Sequence, residues 1–132
     1  MPKATGSFEV KLAPLDAYNS EPSAKLGRMS LDKQFQGDLD ATSKGEMLHI
    51  MSDIKGSAAA VAIERVGGSL GGKSGSFALY HVGVMQNNTP SLWNVKVAPD
   101  SGTGELTGIT GEMKIIIEGK SHSYEFEKEL PE

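Results

Sequence analysis

From Ala4 to Leu12 every second residue is apolar or glycine, with Ala4, Gly6, Phe8, Val10 and Leu12 alternating with Thr5, Ser7, Glu9 and Lys11. Successive side chains of a strand point to opposite faces, so a period of two marks a strand with one face in a core and the other in water. The same alternation returns along most of the chain. From Leu26 it sets Met29, Leu31 and Phe35 against Arg28, Ser30, Asp32, Gln34 and Gln36, and it continues through Gly37 to Leu39 and Ala41. This predicts one long strand bent at Gly37. Further strands are predicted over 43–54, 57–66, 74–86, 91–99, 111–118 and 120–130, making eight. Helical periodicity is nearly absent. The alanines of 57–66 favour helix, but Gly56 and Gly67-Gly68 bracket a stretch that also carries Val61, Ile63 and Val66, and it reads as strand.

Eight sequential strands joined mostly by short turns describe an up-and-down meander. Left open, such a sheet exposes two unpaired edges, and closing it into a barrel removes both. The expected fold is therefore all-β, a closed eight-stranded antiparallel meander barrel in one domain over residues 1–132, with a β-sandwich as the alternative. Glycine, at 16 of 132 residues, is well above the average of about 7%. It is spread between strands, where it lets them turn and coil. The one long connection is 13–23, with Pro14 and Pro22, and is a candidate lid.

Several function classes are disfavoured. There is no cysteine, hence no disulfide, thiolate metal site or cysteine nucleophile. Thirteen basic against seventeen acidic residues give a net charge of −4, and the eight aromatic residues, most of them expected in the core, are not interleaved with a basic platform, so no nucleic-acid partner is expected. The chain opens without a basic-then-apolar leader and has no run of about 18 apolar residues, which leads to an expectation of a cytoplasmic protein without a membrane partner. Gly67-Gly68-Ser69-Leu70-Gly71-Gly72-Lys73-Ser74 spells a phosphate-binding loop, but that chemistry needs a helix starting at the lysine, and 74–81 alternates as a strand. A glycine-rich hairpin is expected there instead. Asn87-Asn88-Thr89 matches a glycosylation sequon and reads as a turn.

The candidate site residues are the ionisable groups set among apolar neighbours. In 43–54, Met47, His49 and Met51 oppose Glu46, Leu48 and Ile50. In 57–66, Ala58, Ala60, Ala62 and Glu64 oppose Ala59, Val61, Ile63 and Arg65, and since both faces are apolar, alternation does not say which is inside. If Glu64 faces the barrel interior, it lies in a hollow lined by small side chains, where burial tunes a carboxyl for proton transfer. The plainer reading is a structural ion pair of Lys33 with Glu46 or Glu64. His81 shares a face with Phe77, Leu79, Gly83 and Met85, and Tyr124 with His122 and Phe126. His49, His81 and His122 lack the close spacing of a metal-binding set, so no metal and no cofactor is expected.

Ser101-Gly102-Thr103-Gly104-Glu105-Leu106-Thr107-Gly108-Ile109-Thr110-Gly111-Glu112-Met113-Lys114-Ile115 resembles the glycine-rich turn before the penultimate barrel strand of plant allene oxide cyclases. More broadly the chain resembles an uncharacterised bacterial family, a domain of unknown function with the allene oxide cyclase barrel-like fold. Arg28-Met29-Ser30-Leu31-Asp32-Lys33, Gly37-Asp38-Leu39, Thr42-Ser43-Lys44-Gly45-Glu46-Met47-Leu48, Val61-Ala62-Ile63-Glu64-Arg65-Val66, Gly75-Ser76-Phe77 with His81, and Pro99-Asp100-Ser101-Gly102-Thr103-Gly104 carry that likeness. The resemblance implies an eight-stranded barrel and no assigned activity. No cyclase residue is carried over, because the cyclase match is confined to the glycine turn.

The leading expectation is a barrel that binds a small apolar or amphipathic ligand through Lys33, Glu46, Glu64, His81 and Tyr124. An isomerase or cyclase using Glu64 or His81 as acid or base is the alternative, and a filled, structural homo-oligomer is the third. A homo-oligomer, with a dimer favoured, is the expected assembly.

Overall fold

A computed structural model describes residues 3–131, and it is all-β apart from one turn of 3-10 helix at Pro22–Ala24. The strands are β1 (Lys3–Leu15), β2 (Leu26–Gly37), β3 (Leu39–Met51), β4 (Ala58–Leu70), β5 (Lys73–Gln86), β6 (Thr89–Val97), β7 (Thr103–Gly104), β8 (Thr110–Glu118) and β9 (Ser121–Glu129). Eight of them pair antiparallel in the order β1-β2-β3-β4-β5-β6-β8-β9, and β9 returns to β1, so the sheet closes on itself. The two-residue β7 pairs separately with Gly75 and Ser76 of β5.

Gly37 is a reversal of the chain, not a bend in one strand. Its φ of +104° starts a turn with Asp38, whose carboxylate accepts from the Thr5 amide at 2.9 Å while its own amide donates to the Thr5 carbonyl at 3.0 Å. Phe35 then pairs with Ala41 and Lys33 with Ser43. Odd residues thus meet odd residues, and the inward phase runs unbroken across the turn, which is why the alternation reads as one strand. Elsewhere β1 extends through Ala13-Pro14-Leu15, paired with β2, so the long connection is 16–25. β4 runs on through Gly67-Gly68 to Leu70, and a tight Gly71-Gly72 turn with φ of +58° and +84° leads directly into β5. Such a two-residue turn matches the twist of the paired strands. The phosphate-loop pattern is therefore a hairpin. Asn87 and Asn88, both at positive φ, form the β5–β6 turn.

One end of the barrel is solid. Phe35, Phe77, Phe126, Tyr124, Leu39 and Leu70 are fully buried there. Phe35 meets Tyr124 edge-on and Phe77 stacks on Phe126, each at 5.7 Å between ring centres. Each ring withdrawn from water contributes about 1.5–3 kcal/mol. Leu106 and Ile109, from the connection between β6 and β8, join the same core. Gly102 lets that connection pack closely, since a Cβ there would strike the backbone of Leu106. Two of the seven aromatic residues expected on strands lie outside this core, because Tyr80 faces outward and Trp93 sits half-exposed at the other end.

The Tyr124 hydroxyl ties the Gly37 turn to β9. It accepts from the Leu39 amide at 2.9 Å and donates to the Gln36 carbonyl at 2.9 Å. Burial, reinforced by the nearby Asp38 and Asp40 carboxylates, pushes its pKa up, so it stays protonated and able to donate. Tyr124→Phe leaves the Leu39 amide without its partner and is expected to cost about 1–3 kcal/mol in urea unfolding; an unchanged midpoint would contradict this role.

Candidate functional site

Above the aromatic plug, four consecutive strands each send one polar side chain inward. Lys33 of β2 pairs across the sheet with Ser43 of β3, Glu64 lies on β4, and His81 of β5 stands beside it, paired with Ala62. Glu64 is 1% exposed and Lys33 7%. Ser43 Oγ donates to Glu64 Oε1 at 2.6 Å, Lys33 Nζ donates to Oε2 at 2.8 Å, and His81 Nε2 shares Oε2 in a short contact. Gly45 faces Glu64 across β3–β4, and a Cβ there would strike the Glu64 Cα and Cβ, so the glycine gives the carboxylate its place. The Lys33 ammonium lies 5.2 Å above the Phe8 ring and 5.7 Å above Phe35, so the polar layer rests directly on the plug.

Burial alone raises the pKa of a carboxyl. Here the hydrogen bond from His81 and the charge of Lys33 outweigh it and hold Glu64 at about 2, below its ordinary 4.5. Glu64 is thus a fixed carboxylate, not a reserve of protons. Among the described residues no buried side-chain nitrogen or oxygen lacks a hydrogen bond.

Beyond this layer the barrel is hollow. A cavity of about 420 Å³ opens at the end formed by the turn between β3 and β4 and that between β5 and β6. Ala58, Ala60 and Ala62 form one wall, with Met47, Met51 and Met85 on flanking strands, and Lys33 and His81 border it. Its lining is overwhelmingly apolar. Two rings at the mouth rest on glycines: the imidazole of His49 covers the place a Cβ of Gly27 would take, and the indole of Trp93 does so at Gly83. A ring over a cross-strand glycine shields the backbone that the glycine leaves bare.

The sequence candidates separate on this geometry. Lys33, Glu64 and His81 come together at the cavity floor, and the inward face of 57–66 is the one carrying Ala58, Ala60, Ala62 and Glu64. Glu46 does not join them. It lies outside the barrel, where Arg28 Nε donates to its Oε1 at 2.6 Å, beside an outer groove with Leu48, Val61, Ile63 and Tyr80. Its strand phase is opposite to that of Met47 and His49, and a charge paired in water avoids the desolvation of the interior. Tyr124 belongs to the plug, its hydroxyl consumed by the Gly37 turn, and does not border the hollow. The three histidines stand apart in role: His49 at the mouth, His81 on Glu64, and His122 with its ring 5.2 Å from Phe8. Among the described residues no group of three histidine or acidic side chains is placed to hold a metal ion. Ser43 and the methionine lining were not singled out from sequence. Ser43 shares the inward phase of Leu39 and Ala41, which marks its position in the interior but not its partner, Glu64 of another strand.

A closed antiparallel barrel, packed at one end, hollow at the other and divided by a buried ion pair, defines the class of this protein. The chain belongs to the family described as "Protein of unknown function (DUF3224)", which matches residues 4–127. It is similar to a protein of unknown function of that family from Shewanella oneidensis MR-1, known from a crystal structure, with 49% sequence identity and a TM-score of 0.94 over 100% of this chain and 98% of that one. No curated protein matches the chain.

Removing one partner of a buried charge pair strands the other. Glu64→Gln is expected to cost about 3–5 kcal/mol in urea unfolding at neutral pH, whereas Lys33→Met combined with Glu64→Leu restores most of that loss. Glu64 is ionised to lower pH in the folded than in the unfolded chain, so its contribution is full above about 4.5 and is lost as pH falls towards about 2. The wild type should therefore lose stability in acid more steeply than the double variant. Equal acid slopes would contradict the assignment.

Proposed function

We propose that the protein is a small-molecule binding barrel whose hollow end takes a mainly apolar ligand, oriented by the polar floor. The cavity carries this reading: about 420 Å³ of space lined by alanine, methionine and tryptophan, with Lys33 and His81 at its base. That volume lies in the range of sites for small organic molecules, which combine an apolar lining with a few placed polar groups. The glycine-rich turn at 101–111 supports a further kinship with the barrel of allene oxide cyclases, at the level of shape.

One observation favours proton transfer as a second reading. His81 is backed by an ionised carboxylate, the arrangement that orients an imidazole and stabilises its protonated form. In that reading His81 is the acid or base and Glu64 its positioning residue, because Glu64 is enclosed and fully hydrogen-bonded.

The test uses N-phenyl-1-naphthylamine, a neutral apolar fluorophore, with energy transfer from Trp93, the only tryptophan. One probe per barrel is expected. Ala60→Phe fills the hollow and should weaken binding by about tenfold or more while the protein remains folded by circular dichroism. Unchanged affinity in a folded Ala60→Phe variant, or no binding to the wild type, would overturn the proposal.

A further inference from the structure

The hydrogen bonds at the cavity floor leave one ring nitrogen free to meet a ligand. Both oxygens of Glu64 are taken, by Ser43, Lys33 and His81. Lys33 is engaged with that carboxylate and set over two aromatic rings. His81 Nδ1 has no partner among the described residues, and since no buried polar side-chain atom there is unsatisfied, Nδ1 is accessible. His81 itself borders the cavity. A carboxylate can only accept, so the His81 nitrogen facing it carries the hydrogen, and in the neutral imidazole the other nitrogen is an acceptor. The floor therefore offers the hollow a hydrogen-bond acceptor.

Charge narrows the ligand further. One lysine and one glutamate cancel at the floor, so neither a ligand anion nor a ligand cation finds an uncompensated opposite charge, and burying an unpaired charge in an apolar hollow is costly. Shape narrows it again. Ala58, Ala60 and Ala62 project nothing beyond Cβ, and Gly83 beside them nothing at all, so this wall is smooth. The flanking strands bring the thioethers of Met47, Met51 and Met85, and the indole of Trp93 stands at the mouth. Sulfur-to-ring contacts and adaptable methionine side chains suit a flat aromatic body.

We infer that the pocket selects a neutral hydroxylated aromatic molecule, its ring system laid against the alanine wall and its hydroxyl donating to His81 Nδ1. This rests on the binding reading above and adds the chemical class of the ligand.

The experiment compares four probes of similar size on the wild-type protein, by Trp93 fluorescence and calorimetry at about pH 8. The probes are naphthalene, 2-methoxynaphthalene, 2-naphthol and 2-naphthoate. 2-Naphthol is expected to bind about tenfold or more tightly than naphthalene and 2-methoxynaphthalene, with 2-naphthoate weakest. His81→Leu should remove the preference for 2-naphthol while leaving naphthalene bound. If 2-methoxynaphthalene binds as well as 2-naphthol, or 2-naphthoate binds best, the inference is overturned and the binding pocket stands. If none of the four binds, the pocket reading falls as well. The series on the wild type decides the matter even if His81→Leu does not fold.

Discussion

The carboxylate of Glu64, enclosed near mid-height in a barrel of hydrocarbon, is the constraint around which the structure is organised. An isolated ion in such a place is untenable, because desolvation would protonate it or unfold its surroundings. It survives because three neighbouring strands converge on it. β2 supplies a cation, β3 a hydroxyl and a glycine that makes room, β5 an imidazole. These contacts fix the register of β2 to β5 more strictly than apolar packing alone, since a slip of one residue would turn every one of these groups to the opposite face.

This polar layer also divides the barrel. Below it, phenylalanines and Tyr124 fill the space, and the ammonium of Lys33 rests on two of their rings. Above it, the same inward positions hold alanine and glycine on β4 and β5, and the space stays open. A hollow with a polar floor and apolar walls follows from this change of side-chain size along strands of otherwise constant geometry. The connection carrying Leu106 and Ile109 packs against the filled end, and the mouth is left to flexible methionines and to rings resting on glycines.

Much of this was legible from sequence, where one face of a strand is polar. β1, β2 and β9 declare their inward sides, and with them Lys33 and most of the aromatic core, whereas the outward Ala78, Tyr80, Val82 and Val84 of β5 are apolar. The alternation also sets Glu46 in the opposite phase to Met47 and His49, so its position outside the barrel was open to the same reasoning. β4 was different. Its outward Val61 and Ile63 are as apolar as its inward alanines, and only the partners of Glu64 on three other strands decide its orientation, which is non-local information. The Gly37 reversal escaped because the pairing of odd residues with odd residues preserves the pattern across a turn. Ser43 escaped because a serine in an inward phase has no meaning until a buried carboxylate stands opposite.

The central claim is that an ionised Glu64 holds His81 in one tautomer and so sets the chemistry of the cavity floor. Side-chain ¹⁵N–¹H correlation spectra of histidine-labelled protein at about pH 8 test it most directly. The account predicts a His81 ring protonated at Nε2, in slow exchange with water, and bare at Nδ1. A ring protonated at Nδ1, or an averaged signal showing both tautomers in comparable amounts, would contradict it.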